Sequence, residues 1–286
     1  MSRVLVTGAT GRIGREVVAR LLAGGAEVRA LTRNPAAARL PAGVEVVAGD
    51  VTRPESLEPG LRDVAAVFLV WPAPAATAAE VVARMARHAR RLVLLSSPHR
   101  TPHPFFQQPN ALRTLHEHLD DLVACSGAAW TILRPGMFAS NALFWWAPRI
   151  RAGDVVRWPY GAVETAPVHE RDVADVAVRT LCDDAHAGAD YVLTGPASLS
   201  QAAQVRTIGE VIGRMLRFEE MSPEEAPREL GMPPAVASML LGAWSAALGQ
   251  PAWVTHTIEQ ITEKPARTFR EWAAEHSAAF AAPGVP

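Results

Sequence analysis

Three glycines placed directly after a short apolar segment constrain this chain more than any other feature. Residues 4–6 (Val-Leu-Val) have the apolar, β-branched character of a central parallel strand. Gly8, Gly11 and Gly14 follow at the spacing G-x-x-G-x-x-G, and helical periodicity continues from there to residue 22. Such glycines let the backbone turn tightly and approach a pyrophosphate, whose charge meets the free N–H groups of the new helix. The pattern predicts a dinucleotide site, and the alternative is a tight turn that binds nothing.

Short apolar strands alternate with helices along the first two-thirds of the chain. This alternation is typical of βαβ units and predicts an α/β fold with a doubly wound parallel Rossmann sheet. The predicted strands are residues 4–7, 27–32, 44–48, 66–70, 92–96, 130–134 and 190–193, and the predicted helices are residues 12–23, 56–61, 77–88 and 110–126. Ligands of such sheets bind outside the carboxyl ends of the strands, so we expect the chemistry there.

The pattern changes after residue 134, where aromatic residues become frequent. We predict that residues 198–264 are mostly helical, without further strands. The expected organisation is a nucleotide-binding Rossmann domain and a smaller, mainly helical substrate lobe. The predicted domain consists of residues 1–136 and 168–196, and the predicted lobe consists of residues 137–167 and 197–286.

The charge balance and the cysteine content argue against several classes of protein. The 286 residues include 28 basic and 29 acidic side chains, which gives no electrostatic reason to expect nucleic acid or an anionic membrane as partner. Cys125 and Cys182 have neither disulfide-framework density nor metal spacing, so we predict no metal and a cytoplasmic location. The first strand begins by Val4, and we therefore expect no signal peptide. We expect a monomer or a homodimer.

One uncharged segment, residues 230–255, has to be considered as a membrane span. Proline and glycine residues at 233–234 and 249–251 interrupt it on both sides. The helix between them, residues 235–248, reaches only about 21 Å, which is shorter than a hydrocarbon core. We therefore predict a buried or pocket-lining helix that does not span a membrane.

The end of the second predicted strand indicates which cofactor is used. A site that prefers NAD places an acidic residue there to bind the ribose 2′-hydroxyl, whereas residues 30–34 are Ala-Leu-Thr-Arg-Asn. The guanidinium of Arg33 can pair with a 2′-phosphate, and Arg12 in the glycine loop is placed to join it from the other side. We therefore predict NADPH as the cofactor. The alternative for Arg12 is a solvated surface side chain.

Further cofactor contacts are predicted at the ends of the third and fourth strands. Asp50 can accept a hydrogen bond from the adenine amino group while Val51 packs on the ring, although Asp50 can also cap the turn that follows it. Val70 and Trp71 are expected to wall the ribose, and the alternative for Trp71 is core packing. The full set of predicted cofactor contacts is Gly8, Thr10, Gly11, Arg12, Ile13, Gly14, Arg33, Asp50, Val51, Val70, Trp71 and Pro135.

Seven segments together resemble a known family. They are Gly-Ala-Thr-Gly-Arg-Ile-Gly (residues 8–14), Gly-Asp (49–50), Leu-Ser-Ser (95–97), Ser-Gly (126–127), Trp-Thr-Ile-Leu-Arg-Pro-Gly (130–136), Val-His-Glu-Arg-Asp-Val-Ala (168–174) and Thr-Glu-Lys-Pro-Ala-Arg-Thr-Phe-Arg-Glu-Trp-Ala (262–273). Over nearly its whole length the chain resembles the NmrA-like group of atypical short-chain dehydrogenase/reductases. The resemblance implies a Rossmann domain, NADP(H), and either a small-molecule reductase or a cofactor-sensing regulator.

The chain departs from most active short-chain reductases at the catalytic pair. Those enzymes use a serine together with Tyr-x-x-x-Lys, in which the phenol gives the proton and the lysine lowers its pKa. Here Tyr160 has Glu164 at the lysine position. The other tyrosine, Tyr191, has Gly195 there, and the one lysine of the chain is Lys264. The tyrosine–lysine pair is therefore absent from the sequence.

Serine and histidine side chains are the candidates to replace this pair. Ser96 and Ser97 end the fifth strand, where the family's catalytic serine lies; Ser97 is the first candidate to hold a substrate carbonyl oxygen, and capping of the backbone is its alternative role. His116 and Asp120 lie four residues apart on the next helix and share a face, so the carboxylate can orient an imidazole that donates a proton near neutral pH. A helix histidine without a catalytic role is the alternative. His99, in the loop after Ser97, is a less favoured candidate.

Aromatic residues predict a broad apolar pocket for planar substrates, and a core or a dimer contact is the alternative. The predicted substrate contacts are Phe138, Phe144, Trp145 and Trp146, accompanied by Phe105, Phe106 and helix 235–248. We predict an NADPH-dependent ketoreductase of a large apolar or aromatic metabolite, of polyketide, angucyclinone or quinone type, in secondary metabolism such as antibiotic biosynthesis. The alternative function is a non-catalytic NADP(H) sensor that binds a protein partner.

Overall fold

A seven-stranded parallel sheet forms the centre of the molecule, whose computed structural model describes residues 3–281. The strands lie in the order β3-β2-β1-β4-β5-β6-β9. They are β1 (Arg3–Val6), β2 (Glu27–Thr32), β3 (Glu45–Ala48), β4 (Ala66–Leu69), β5 (Arg91–Leu95), β6 (Ala129–Pro135) and β9 (Ala189–Leu193). The order reverses between β1 and β4, and such a switch point opens a crevice at the carboxyl ends of the strands. The predicted doubly wound Rossmann sheet is confirmed.

Helices cover both faces of the sheet because the strands are apolar on both sides. One face carries α1 (Arg12–Ala23), α7 (Glu170–Cys182) and α11 (Thr257–Thr262). The other face carries α2 (Glu58–Leu61), α3 (Ala78–His88) and α4 (Ala111–Ala124). Each face holds a continuous hydrophobic cluster, so the loops at the carboxyl edge are fixed by two packed layers.

A third hydrophobic cluster lies beyond the sheet and is built from the aromatic and C-terminal segments. Its helices are α5 (Ala142–Trp145), α6 (Ala147–Ala152), α8 (Gln201–Val211), α9 (Ala226–Glu229), α10 (Pro234–Ala247) and α12 (Phe269–Glu275). Its strands are β7 (Val155–Trp158), β8 (Glu164–Thr165), β10 (Leu199–Ser200) and β11 (Arg217–Glu220). β7 pairs with β11 in parallel and β8 pairs with β10 in antiparallel fashion.

Two of these strands correct the expectation that residues 198–264 contain no strand. β10 and β11 both lie in that range, and each belongs to a two-stranded sheet. β11 reads Arg-Phe-Glu-Glu and is mostly exposed. It therefore lacks the apolar alternation by which a half-buried strand is recognised, and its pairing with β7 depends on a tertiary contact.

The other predicted elements of the sheet are confirmed within one or two residues at their ends, with one exception. Residues 56–61 do not form one helix, because a 3₁₀ turn (Pro54–Leu57) precedes α2. The division into a domain and a lobe stays a prediction, and α11 of the predicted lobe packs against α7 and β9. Residues 1, 2 and 282–286, at the ends of that division, lie outside the described residues.

The uncharged segment forms α10, which is 14 residues long. Ala237, Leu240, Ala243 and Trp244 on this helix are buried in the third cluster, so the predicted buried helix is confirmed. None of the helices within residues 3–281 combines the length and the apolar character that a membrane span requires.

Candidate functional site

The glycine loop joins β1 to α1 at the carboxyl edge of the sheet. Gly8 has a positive φ of 62°, and the N–H of Gly11 donates to its carbonyl at 2.9 Å. A Cβ on Gly14 would lie 2.2 Å from the same carbonyl oxygen, so only glycine lets α1 begin so close to the turn. No side chain caps the start of α1, and its first turn contains no acidic residue. The free N–H groups and the helix dipole therefore face the crevice, as an anion site requires.

A cavity of about 500 Å³, which we name the Arg33 cavity, lies on one side of this loop. The ends of β2, β3 and β4 form its walls. Among the predicted cofactor contacts, the cavity is lined by Gly8, Thr10, Gly11, Arg33, Asp50, Val51 and Val70. Arg33 is exposed at its mouth.

Asp50 has a structural role in addition to its place in the Arg33 cavity. Its Oδ1 accepts hydrogen bonds from the N–H of Thr52 at 2.9 Å and from the Thr52 hydroxyl at 2.8 Å. These bonds hold the pKa of the Asp50 carboxyl below its usual range, so Asp50 is an anion at neutral pH. One carboxylate oxygen fixes the turn after β3, which was the alternative role predicted for this residue.

Arg12 lies in a different cavity from Arg33, on the other side of the glycine loop. This Arg12 cavity has a volume of about 270 Å³ and is also lined by Ile13, Gly14, Phe138 and Phe144. The Arg12 guanidinium donates to the backbone carbonyl of Ser140 at 3.0 Å and stacks over the Phe144 ring at 4.4 Å. The expectation that Arg12 joins Arg33 at one phosphate is therefore not met, because these two contacts hold Arg12 against the lobe.

The residues present fit a phosphorylated nicotinamide dinucleotide. Uncapped amides meet the pyrophosphate position, the Arg33 guanidinium stands where an NAD site has a carboxylate, and two cavities flank the loop. Gly8, Gly11 and Val70 line both cavities, so a single extended ligand can run from one into the other. Trp71 does not line either cavity; it is 7% exposed and packs in the core beneath α3, which was its alternative.

A third cavity of about 260 Å³, the Ser97 cavity, lies beyond the end of β5. Phe138 lines both this cavity and the Arg12 cavity, so the two adjoin at this residue. Its polar lining includes Ser96, Ser97, His99 and His116, and its apolar lining includes Phe105, Phe106, Met137, Met239, Leu240 and Ala243. Pro135, predicted to contact the cofactor, lines this cavity instead.

The three predicted catalytic residues all line the Ser97 cavity, but their hydrogen bonds differ from those expected. The Ser96 hydroxyl donates to Asp120 at 2.6 Å, and Asp120 is therefore directed to Ser96 rather than to His116. His116 Nδ1 lies 3.4 Å from the Ser96 hydroxyl. Burial lowers the pKa of His116 to about 4, which outweighs the attraction of the Asp120 charge, so this imidazole is neutral at pH 7. The expected acid near neutral pH is thus not available at His116.

Ser97 is paired with His99, the less favoured candidate. Its hydroxyl lies 3.1 Å from Nδ1 of His99. His99 is 3% exposed, and its Nε2 lies 3.3 Å from Asp120. The hydroxyl of Ser97 remains half-buried at the cavity wall, so it can meet a ligand oxygen.

A buried arginine beneath these side chains was missed from the sequence. Arg134 on β6 is 1% exposed, and its guanidinium lies 2.6 Å from Asp120 and 2.5 Å from Asp190 on β9. It also donates to the backbone carbonyl of Ser97 at 3.0 Å. An arginine inside an otherwise apolar strand was the available signal, because a buried cation requires anionic partners. Arg134 therefore fixes the end of β5 on which the serines lie.

The aromatic residues divide into two groups. Phe138 lines the Ser97 cavity and Phe144 lines the Arg12 cavity, where it is 66% exposed. Trp146 is fully buried, and Trp145 stacks on Trp158 with the ring centres 5.9 Å apart. Neither tryptophan lines any of these three cavities, since Trp146 belongs to the core of the third cluster and Trp145 packs against it half-buried. This arrangement agrees with core packing, the alternative given for them, and their role as substrate contacts stays a prediction.

Comparisons with known proteins agree with this geometry. A family model described as NAD(P)H-binding matches residues 8–184. The (4-alkanoyl-5-oxo-2,5-dihydrofuran-3-yl)methyl phosphate reductase of Streptomyces griseus is 40% identical over 97% of this chain and 99% of its own length. The NAD(P)H azoreductase of Xenophilus azovorans is 33% identical over 98% of this chain and 99% of its own length.

Solved structures show the same fold at lower identity. The NADPH-dependent quinone oxidoreductase of Escherichia coli has a TM-score of 0.79 at 23% identity, and the match covers 95% of this chain and 98% of that one. The triphenylmethane reductase of a Citrobacter species, solved with NADP(H), has a TM-score of 0.81 at 19% identity, covering 97% of this chain and all of the other. Across residues 3–281 no group of three or more His, Cys, Asp or Glu side chains is arranged to hold a metal ion.

Proposed function

Since this chain belongs to the NAD(P)H-binding, NmrA-like family of atypical short-chain dehydrogenase/reductases and is an NADPH-dependent oxidoreductase, we propose that it reduces an apolar, conjugated carbonyl compound. One observation carries the proposal. A mainly apolar cavity with the hydroxyl of Ser97 at its wall adjoins the Arg12 cavity through Phe138. A cavity placed there favours an enzyme over a non-catalytic sensor, because a sensor needs no substrate space beside its cofactor.

The neutral polar groups of the Ser97 cavity suit an acceptor that needs only a modest acid. NADPH, when bound, supplies the hydride. A conjugated acceptor spreads the resulting negative charge over several atoms, so its oxygen requires a hydrogen-bond donor rather than a strong acid. The Ser97 hydroxyl and the neutral imidazole of His116 are such donors. This accounts for activity without the tyrosine–lysine pair.

The names of the relatives support this substrate class. The furanone phosphate carries a ring double bond conjugated with two carbonyl groups, and the azo compound carries a conjugated N=N bond. Both are electron-poor π systems, as quinones are. We propose that the present chain also reduces electron-poor π systems. The aromatic ketones predicted from the sequence belong to this substrate class when their carbonyl group is conjugated.

The size of the cavity favours a compound of one or two rings. Its volume of about 260 Å³ lies below the usual range for ligand pockets, roughly 300–1000 Å³. A four-ring angucyclinone is therefore the less favoured metabolite. Arg113, with its Nε 2.8 Å from Glu117, lines the same cavity and is the cation that a phosphate substituent would meet.

The test is loss of NADPH absorbance with matched acceptors. Each conjugated compound (a naphthoquinone, an alkanoyl butenolide with and without a phosphate ester) is paired with its saturated ketone analogue. We expect kcat/KM to be at least about tenfold higher for the conjugated member of each pair, since only it delocalises the charge. Equal rates within the pairs, or no NADPH loss with any acceptor, would contradict the proposal.

A further inference from the structure

The side chains of Ser97, His99 and the buried Asp120 lie in a row beside the Ser97 cavity. The Ser97 hydroxyl lies 3.1 Å from Nδ1 of His99, and Nε2 of His99 lies 3.3 Å from Oδ2 of Asp120. His99 is 3% exposed and Asp120 is 1% exposed, so water does not compete for these contacts. Nδ1 of His99 therefore faces the hydroxyl and, at 3.5 Å, the guanidinium of Arg134, while Nε2 faces the carboxylate at ion-pair distance without a hydrogen bond.

Charges of both signs surround His99. Arg134 lies 2.6 Å from Asp120 and 2.5 Å from Asp190. Asp190 is exposed to solvent, and of the two buried charges Asp120 favours protonation of His99 while Arg134 opposes it. Glu117 and Arg100 are the other charged groups near His99, and each has a partner of its own, Arg113 and Asp121 respectively. His116 on α4 is neutral.

The protonation state of His99 decides where the proton of Ser97 points. In neutral His99 the Ser97 hydroxyl and the Arg134 guanidinium both face Nδ1, so the ring hydrogen lies on Nε2. Nδ1 then accepts the Ser97 proton and turns it away from the cavity. When both ring nitrogens carry hydrogen, Nδ1 donates to the Ser97 oxygen instead. The hydroxyl proton of Ser97 is then free to face a substrate oxygen.

We propose that His99 is the positioning residue and proton relay behind Ser97, and that its doubly protonated form is the productive one. The inference rests on the proposed function. In the balanced reaction the acceptor receives a hydrogen and two electrons from NADPH at carbon, and its oxygen takes the proton of Ser97. Ser97 recovers a proton from Nδ1 of His99, which keeps the hydrogen on Nε2 toward Asp120. His99 then recovers its second proton from water that enters the cavity.

The direction of the pH dependence follows from the surroundings of His99. Burial and the charge of Arg134 lower the pKa of His99 below its usual value of 6.5, against the opposing effect of Asp120. The productive form is therefore lost as pH rises above that pKa, by about tenfold for each pH unit. His116, with a pKa of about 4, does not titrate between pH 6.5 and 8.5.

The first experiment measures kcat against pH with an acceptor that the wild-type protein reduces. We expect the wild-type kcat to fall about 100-fold from pH 6.5 to 8.5, and His99→Asn to lower kcat and remove the slope while leaving the KM for NADPH unchanged. His118→Asn, at an exposed position of α4, is the matched control and should keep both rate and slope. A wild-type slope in His99→Asn would overturn the relay.

The second experiment needs neither substrate nor cofactor. In protein labelled with ¹⁵N at histidine, we expect Ser97→Ala to shift the Nδ1 resonance of His99 and to leave that of His118 in place, because only His99 contacts the hydroxyl. An unmoved Nδ1 resonance would overturn the proposal. If no acceptor consumed NADPH while the resonance moved, the proposed substrate class would fail and the contact behind the relay would stand.

Discussion

The guanidinium of Arg33 is exposed and lines the Arg33 cavity, where its charge would distinguish two cofactors that differ by one phosphate. We predict that Arg33→Ala weakens NADPH binding by about 10- to 100-fold, because a charge-assisted contact contributes roughly 1.5–3 kcal/mol. NADH affinity should change little, since NADH has no 2′-phosphate. Calorimetry with both cofactors measures the difference. Arg39→Ala, at a nearby exposed position, should bind NADPH like the wild type, and an equal loss in both variants would contradict this role for Arg33.

Arg134 is the buried cation between two carboxylates beneath the Ser97 cavity. We predict that Arg134→Met lowers the free energy of unfolding by about 3–5 kcal/mol, since it leaves the buried Asp120 without its cation. Urea denaturation followed by circular dichroism measures this loss. Arg100→Ala should have little effect, because Arg100 pairs with Asp121 at the surface. Equal midpoints for wild type and Arg134→Met would show that the cluster does not support the fold.

The sequence pointed to residues that belong to local motifs and missed pairings that depend on distant partners. Ser97 was proposed because it follows a strand; it lines the Ser97 cavity, and its role stays a prediction. The pairing of Ser97 with His99 was not favoured, because the alternative, His116 with Asp120, obeys helical spacing. Only the fold brings Arg134 of β6 beside one oxygen of Asp120, whose other oxygen accepts from Ser96 rather than from His116.

The same distinction between local signals and distant partners holds for whole strands and helices. The buried parallel strands and α1 were predicted because continuous apolar runs and a 3.6-residue period are local signals. β11 was not predicted, because its polar sequence pairs with β7 through a tertiary contact. The aromatic segment was recognised as apolar, but its pattern could not distinguish a cavity wall from a core. Helix α5 contains both kinds of residue: Phe144 is exposed, and Trp145 packs half-buried against the third cluster.

Helix α10 forms one wall of the Ser97 cavity, where the proposed substrate would lie, through Met239, Leu240 and Ala243. We predict that Ala243→Phe raises KM at least about tenfold for a two-ring quinone and much less for a one-ring quinone, because the larger side chain fills space that only the larger substrate needs. Steady-state kinetics with both quinones measures this ratio. Ala235→Phe, on the exposed start of α10, should leave the ratio unchanged. Equal increases for both quinones in Ala243→Phe would place this wall outside the substrate site.

At the scale of the molecule, the three cavities follow one another along the carboxyl edge of the sheet. We predict that NADPH at about 100 times its Kd raises the melting temperature by roughly 5 °C, because such binding adds about 2.7 kcal/mol and a chain of this length gains about 2 °C per kcal/mol. Differential scanning calorimetry measures the shift. NADH at the same concentration should give a smaller one. An unchanged melting temperature with both cofactors would contradict a dinucleotide-binding site in this protein.

Phe138 stands where the lobe meets the sheet, and its ring is the wall shared by the Arg12 and Ser97 cavities. Its backbone is held by a bridge to Val168, and the N–H of Ala139 donates to the Val168 carbonyl at 2.9 Å. A reducing cofactor in the Arg12 cavity and an acceptor in the Ser97 cavity would therefore meet beside one aromatic residue whose backbone is fixed. Substitutions elsewhere in the wall of the Ser97 cavity would then change which compound is accepted without displacing that meeting point.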